Sequence, residues 1–175
     1  MILGKEANIG LDALSRLKKR SASVYWTLVG DGPEKPRWEA MSRCLGVADM
    51  VEFRGQVSRA EVLSLMRQGD VLFHPAFREG WGGAILEGMS MGLPVVCLDW
   101  GGPGYIVDEE SGIKVPVNQP REHIVEGLAE AIERLQDPAL RRRMGEAARE
   151  RVQKCFSLET LTSLVEWVYD EVQQL

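Results

Sequence analysis

The sequence predicts an α/β domain built on a doubly wound parallel sheet of about five strands with flanking helices. Short, near-continuous apolar runs alternate with stretches of helical periodicity, the pattern of strands buried on both faces and joined by right-handed crossovers. Glycine clusters follow these runs, at the sheet edge where open α/β folds carry their ligand loops. The chain has 175 residues, 45% hydrophobic and 27% charged, and no linker or repeat divides it, so residues 1–175 form one domain.

The elements follow in order. Ala7 to Arg20 sets Ile9, Ala13, Leu14 and Leu17 at helical spacing and closes on Lys18-Lys19-Arg20, a charge suited to a helix C-terminus. Val24 to Val29 is β-branched and aromatic. It ends at Gly30-Asp31-Gly32-Pro33, which neither helix nor strand tolerates. Lys35 to Leu45 is a helix stopped by Gly46, and Met50 to Arg54 a strand stopped by Gly55. Ser58 opens a helix with Glu61 as its capping-box partner. Val71 to His74 is a strand broken at Pro75, Ala84 to Met91 a helix, Pro94 to Leu98 a strand and Ile113 to Val115 a last short one. Gly101-Gly102-Pro103 reads as a turn. Helices over Arg121 to Leu135, Ala139 to Lys154 and Leu158 to Val172 close the chain. The apolar stripe of the last (Leu158, Leu161, Leu164, Val165, Val168, Val172) reads as core packing.

Charge and composition exclude several functions. A formal charge of −5 argues against general affinity for nucleic acid or anionic membranes, so any anion site is local. No apolar run approaches the ~20 residues of a membrane span, and no basic-then-apolar leader opens the chain. Cys44, Cys97 and Cys155 are widely spaced, without a C-x-x-C pair, which suits a reducing cytoplasm. With two distant histidines and no D-x-D pair, no metal site is expected. Arg141-Arg142-Arg143, beside Glu146 and Glu150, reads as an ordinary charged helix face.

Glycine supplies 18 of the 175 residues, and nine of them lie between Gly80 and Gly112. The densest stretch runs from Pro75 to Glu87: strand, glycine loop, helix start. Gly80, Gly82 and Gly83 argue against one continuous helix, which puts Glu79 in the loop and Glu87 in the first turns of the helix. Free amides at that helix N-terminus favour an anion, and bare backbone lets a phosphate approach. A carboxylate only accepts hydrogen bonds, so Glu87 suits the diol of a ribose. Sugar hydroxyls and phosphate together indicate a nucleotide, although acidic residues round a glycine loop are also met as solvated turn decoration. The cluster Asp99 to Gly104 offers further backbone amides after the next strand, and His74 ends a strand at the same edge.

The residues from Val24 to Val117 resemble the C-terminal, donor-binding half of the retaining GT-B glycosyltransferases of family four. The matching parts are TLVGDGP, VEFRGQV, DVLFHPAFREGWGGAILEGMSMGLPVVCLDWGGPG and SGIKVPV, in the family's order. The resemblance implies a nucleotide-diphosphate sugar as donor substrate and no cofactor besides. Glu87 would bind the ribose hydroxyls, and Glu79 would meet the transferred sugar beside the reacting carbon as the catalytic-site acid. Gly80-Trp81-Gly82-Gly83 would line sugar and phosphate, Gly101 and Gly102 would make a second contact, and Arg54 would flank the base. Lys5 would hold the diphosphate. Tyr105 stands where many relatives carry a glutamate, and Ala76 where they carry a serine. The resemblance also implies an N-terminal acceptor-binding domain and a central first strand, both upstream of Met1. Their absence would leave a gap in the sheet, of which Met1-Ile2-Leu3 would be the remnant, and would leave the isolated fragment able to bind but not to transfer. Peripheral attachment at the inner membrane face is open to the full-length protein, and since the family's terminal helix often reaches toward the acceptor domain, the resemblance implies that part of the Leu158 to Val172 stripe is exposed. Two other readings stand beside this one: a non-catalytic binding or assembly module, and a fragment of a sugar-nucleotide 2-epimerase.

Overall fold

Every paired strand of the sheet runs parallel to its neighbour. The computed structural model describes residues 2–3, 7–77 and 80–173. In chain order the elements are β1 (Ile2–Leu3), α1 (Ala7–Lys19), β2 (Trp26–Val29), α2 (Lys35–Cys44), β3 (Val51–Gly55), α3 (Arg59–Gln68), β4 (Leu72–His74), α4 (Gly83–Ser90), β5 (Val95–Asp99), α5 (Gly101–Ile106), β6 (Gly112–Pro116), α6 (Arg121–Arg134), α7 (Pro138–Cys155) and α8 (Leu158–Gln173). Two three-stranded sheets, β1-β2-β3 and β4-β5-β6, meet where β1 approaches β4. The strands therefore run 3-2-1-4-5-6 across the molecule, the doubly wound order with its crevice where the order reverses.

Local chemistry accounts for the helix starts. The Ser58 hydroxyl accepts from the Glu61 amide at 3.2 Å at the head of α3. The Asp137 carboxylate accepts from the Ala139 amide at 2.9 Å, with Pro138 opening α7, where its missing N–H costs nothing. The alternation along β5 explains its unbroken apolar run. Val96 and Leu98 enter a core layer with Leu11, Leu14, Leu17 and Leu128 of α1 and α6, while Val95 and Cys97 enter a second layer with Met66, Ile85, Met89 and Ile106 of α3, α4 and α5. Side chains of this kind, fully buried, stabilise the fold by about 1.5–3 kcal/mol each. Trp26 of β2 and Phe73 of β4 join the half-sheets within the first layer, their rings 5.3 Å apart.

Three expectations need correction. There are six described strands rather than five, because Ile2–Leu3 pairs in parallel with Leu28 and Val29. The expected turn at Gly101 is the start of a helix, α5, seeded by Trp100 in extended conformation. Among the described members of the stripe on α8, Leu158 is 82% exposed, Val165 53% and Leu161 39%, so this part of it is not core; α8 packs along α7. No described helix is long and apolar enough to cross a membrane.

Arg151 of α7 fastens the far end of α5. Its guanidinium donates to the carbonyl oxygens of Ile106 at 2.6 Å and Tyr105 at 3.2 Å, and pairs with Asp108 at 2.7 Å. Burial works against the charge of Asp108, but hydrogen bonds from Ser111 and the Arg151 charge hold its carboxyl below the usual range.

Candidate functional site

The carboxyl ends of β4 and β5 lie side by side, His74 opposite Cys97, and each strand feeds one glycine loop. After β4 the chain passes through buried Pro75 and Ala76, and it emerges at Gly80 and Trp81. Gly82 caps α4 in a left-handed backbone, φ +86°, and a Cβ there would sit 3.2 Å from Cδ1 of Ile106. The amides of Ile85 and Leu86 both donate to the Gly82 carbonyl, at 2.9 and 3.2 Å. Amides ahead of Ile85 have no carbonyl within the helix to bond, so the N-terminus of α4 presents donors and partial positive charge.

The second loop docks onto the first. Gly102 donates its amide to the Gly80 carbonyl at 3.1 Å. A Cβ on Gly102 would lie 2.4 Å from that oxygen and 2.5 Å from the Trp81 carbonyl oxygen. Gly102 is thus required by packing between the loops, and its amide is already engaged. Around Gly80 and Gly83 the opposite holds: among the described residues an added Cβ would meet nothing within 4 Å. Trp81 and Trp100, one from each loop, are 58% and 55% exposed at this same edge.

Glu87 lies in the second turn of α4, its side chain 29% exposed, with Oε1 2.8 Å from Nη2 of Arg59. Arg59 opens α3 directly after the Ser58 cap, and its own side chain is 75% exposed. A pair this open to water contributes about 0–1 kcal/mol, weak enough for a diol to share the carboxylate. Sequence reasoning passed over Arg59; the signal was a cation just after Arg54-Gly55-Gln56, at the start of a helix on the ligand edge.

Arg54 does not stand alone as a free cation. Its Nε is 2.7 Å from Glu52 and its Nη1 3.6 Å from Glu61. Beside it, Gly55 (φ +67°) accepts the Gly30 amide at 2.8 Å, closing the ends of β2 and β3 into one rim. Lys114 of β6, also passed over, donates to the Gly104 carbonyl at 2.9 Å and lies 3.4 Å from Asp99, tying α5 to the sheet. Burial pushes the Cys97 thiol up to about 12, Lys114 acting against it, so this thiol stays protonated at neutral pH. His74 is buried at the last position of β4. Gly101 opens α5 at φ +58° and is exposed. Glu79 and Lys5 lie outside the described residues. The structure thus brings Gly80, Trp81, Gly82, Gly83, Gly101 and Gly102 together, with Glu87 one turn along α4.

A parallel sheet of this order, with glycine loops at the carboxyl ends of adjacent central strands, defines a Rossmann-like domain of the GT-B kind. The chain belongs to the family described as glycosyl transferases group 1, whose model matches residues 4–151. It is 30% identical over 164 residues to the alpha-D-kanosaminyltransferase of Streptomyces kanamyceticus, covering 93% of this chain and 41% of that protein. It is 32% identical over 149 residues to a D-inositol 3-phosphate glycosyltransferase of Streptomyces avermitilis, covering 83% of this chain and 31% of that one. The sucrose-phosphate synthase of Thermosynechococcus elongatus superposes with a TM-score of 0.78 at 28% identity, over 98% of this chain and 45% of that chain. The chain spans less than half the length of these relatives.

Proposed function

We propose that this chain is the donor-binding domain of a retaining glycosyltransferase, receiving a nucleotide-diphosphate sugar at the carboxyl ends of β4 and β5. One observation carries the reading. Gly80 and Gly83 give up side chains that the fold has room for, beside the amides of the α4 N-terminus and one turn from a carboxylate. The diphosphate takes the α4 amides, and the ribose diol takes the Glu87 oxygen that Arg59 leaves free. The helix N-terminus then stabilises the charge that grows on the leaving diphosphate as the glycosidic bond breaks, which favours the transition state over the ground state. Glu79 meets the transferred sugar, Lys5 adds charge at the diphosphate, and Gly101 adds a second backbone contact. The acceptor comes from a facing domain, so the isolated chain binds without turnover. Family membership and the strand order support this reading.

Calorimetry with UDP, GDP and ADP tests it. One of the three binds, and Glu87→Ala weakens that binding by about 1.5–3 kcal/mol, the size of a charge-assisted hydrogen bond. Failure of all three to bind would remove the proposal.

A further inference from the structure

Tryptophan is used in two ways in this chain. Trp26 and Trp38 are buried in the first core layer, whereas Trp81 and Trp100 stand more than half exposed, one on each glycine loop. The backbone of the exposed pair is fixed. The Trp100 amide donates to the Leu98 carbonyl at 2.9 Å, and the Trp100 carbonyl accepts from Gly104 at 3.3 Å. The Trp81 carbonyl packs against Gly102, at the junction where Gly102 donates to Gly80. Both indoles are therefore held in place while meeting water, which leaves apolar surface uncovered.

The kind of side chain left open also differs between regions. Among the described residues, the large apolar groups exposed on α8 include the aliphatic Leu158, Leu161 and Val165; those at the glycine-loop edge are Trp81, Trp100 and, at the tail of α5, Tyr105. A hydrocarbon chain packs on leucine as well as on an indole. What an aromatic face adds is its negative π cloud, which attracts polarised C–H groups. A pyranose ring carries such groups on its flat face and hydroxyls at its rim. A partner for that rim stands alongside: Asp99 directly precedes Trp100, its side chain 47% exposed and Oδ1 3.4 Å from Lys114.

We propose that Trp81 and Trp100, with Asp99 at the rim, form a subsite for one pyranose ring of a carbohydrate acceptor. This assignment rests on the donor reading for its place in the reaction. The donor's diphosphate and ribose ask for other groups: amides and positive charge for the one, a carboxylate for the other. An indole face supplies neither. The acceptor hydroxyl must come within about 3–3.5 Å of the reacting carbon, and a ring stacked on the edge that holds the proposed leaving group is placed to deliver one. A lipid surface fits less well, because no large aliphatic side chain is exposed at this edge among the described residues and the formal charge is −5.

The test follows the indole N–H resonances of the chain by two-dimensional NMR, assigned through Trp81→Phe and Trp100→Phe. The probes are methyl α-glucopyranoside, methyl α-mannopyranoside, methyl β-galactopyranoside and N-acetylglucosamine, each with and without UDP, GDP or ADP, and sorbitol is the open-chain control. At least one pyranoside shifts the Trp81 and Trp100 signals saturably while those of Trp26 and Trp38 hold still, and sorbitol shifts none. Trp100→Leu keeps apolar area but loses the π face and weakens that binding about fivefold, whereas Trp100→Phe keeps most of it. Silence from every pyranoside, or equal binding by the Leu and Phe variants, would overturn the proposal. So would shifts from phosphatidylglycerol vesicles alone, which give the indoles to a lipid surface. Shifts from a nucleotide-diphosphate sugar beyond those of its nucleotide, with free pyranosides inert, give them to the donor's own sugar and overturn the assignment as well. Nucleotide binding is read separately by calorimetry: pyranoside shifts without it remove the donor reading and keep the subsite, and nucleotide binding without pyranoside shifts does the reverse.

Discussion

Gly82 and Gly102 are held by the protein itself, one by a left-handed backbone at φ +86° and the other by carbonyl oxygens 2.4 and 2.5 Å from where its Cβ would stand, while Gly80 and Gly83, one or two residues from Gly82, face open space. The loop after β5 spends its glycine on meeting its neighbour; the loop after β4 keeps two glycines that no contact among the described residues demands. Glycine content alone does not separate these uses, because composition records that a side chain is missing and geometry records what would have touched it.

Substitution breaks or sharpens that contrast. The largest effect belongs to Gly102→Ala, which forces the two loops apart and costs about 1–3 kcal/mol by denaturant unfolding. Gly82→Ala follows, at about 1–2 kcal/mol for a side chain in the left-handed region. Gly83→Ala is the decisive inversion: folding stability is unchanged or rises by about 0.5–1 kcal/mol, while nucleotide affinity drops roughly tenfold, or ~1.4 kcal/mol. Equal losses of stability at Gly83 and Gly102 would erase the distinction. Arg59→Ala costs less than about 1 kcal/mol of stability and changes nucleotide affinity through the Glu87 carboxylate, read by calorimetry. The smallest effect is on the acid limb. The carboxyl of Asp108 titrates lower folded than unfolded. Its contribution is therefore complete above the unfolded value of about 3.9, and is lost as pH falls from there through the folded value. Asp108→Asn flattens the decline of Tm over that range.

The regular elements were legible because each is set by nearby residues. Ser58 and Glu61 announce α3 through their own hydrogen bond, and the apolar alternation of β5 is explained by the two layers it enters. α5 was not legible, since Gly-Gly-Pro-Gly is a poor helix former; its backbone is fixed by docking on Gly80 and by Arg151 and Lys114, contacts that span from 10 to 46 residues. The stripe of α8 shows the limit of periodicity, which identifies an apolar face and not what covers it. At the site, strand, loop and helix order pointed to the edge of β4 and β5. The pairing of Glu87 with Arg59 depends on how α3 and α4 lean together, and no spacing within either helix encodes that.

Arg151 grips two carbonyls of α5 and Asp108 just beyond it with one rigid planar group. A fork of that kind fixes direction as well as distance. Direction fixed at Arg151 sets how the tail of α5 is presented to the rest of the sheet edge, so the pose of the Trp100 loop is anchored from a helix some 45 residues further along the chain.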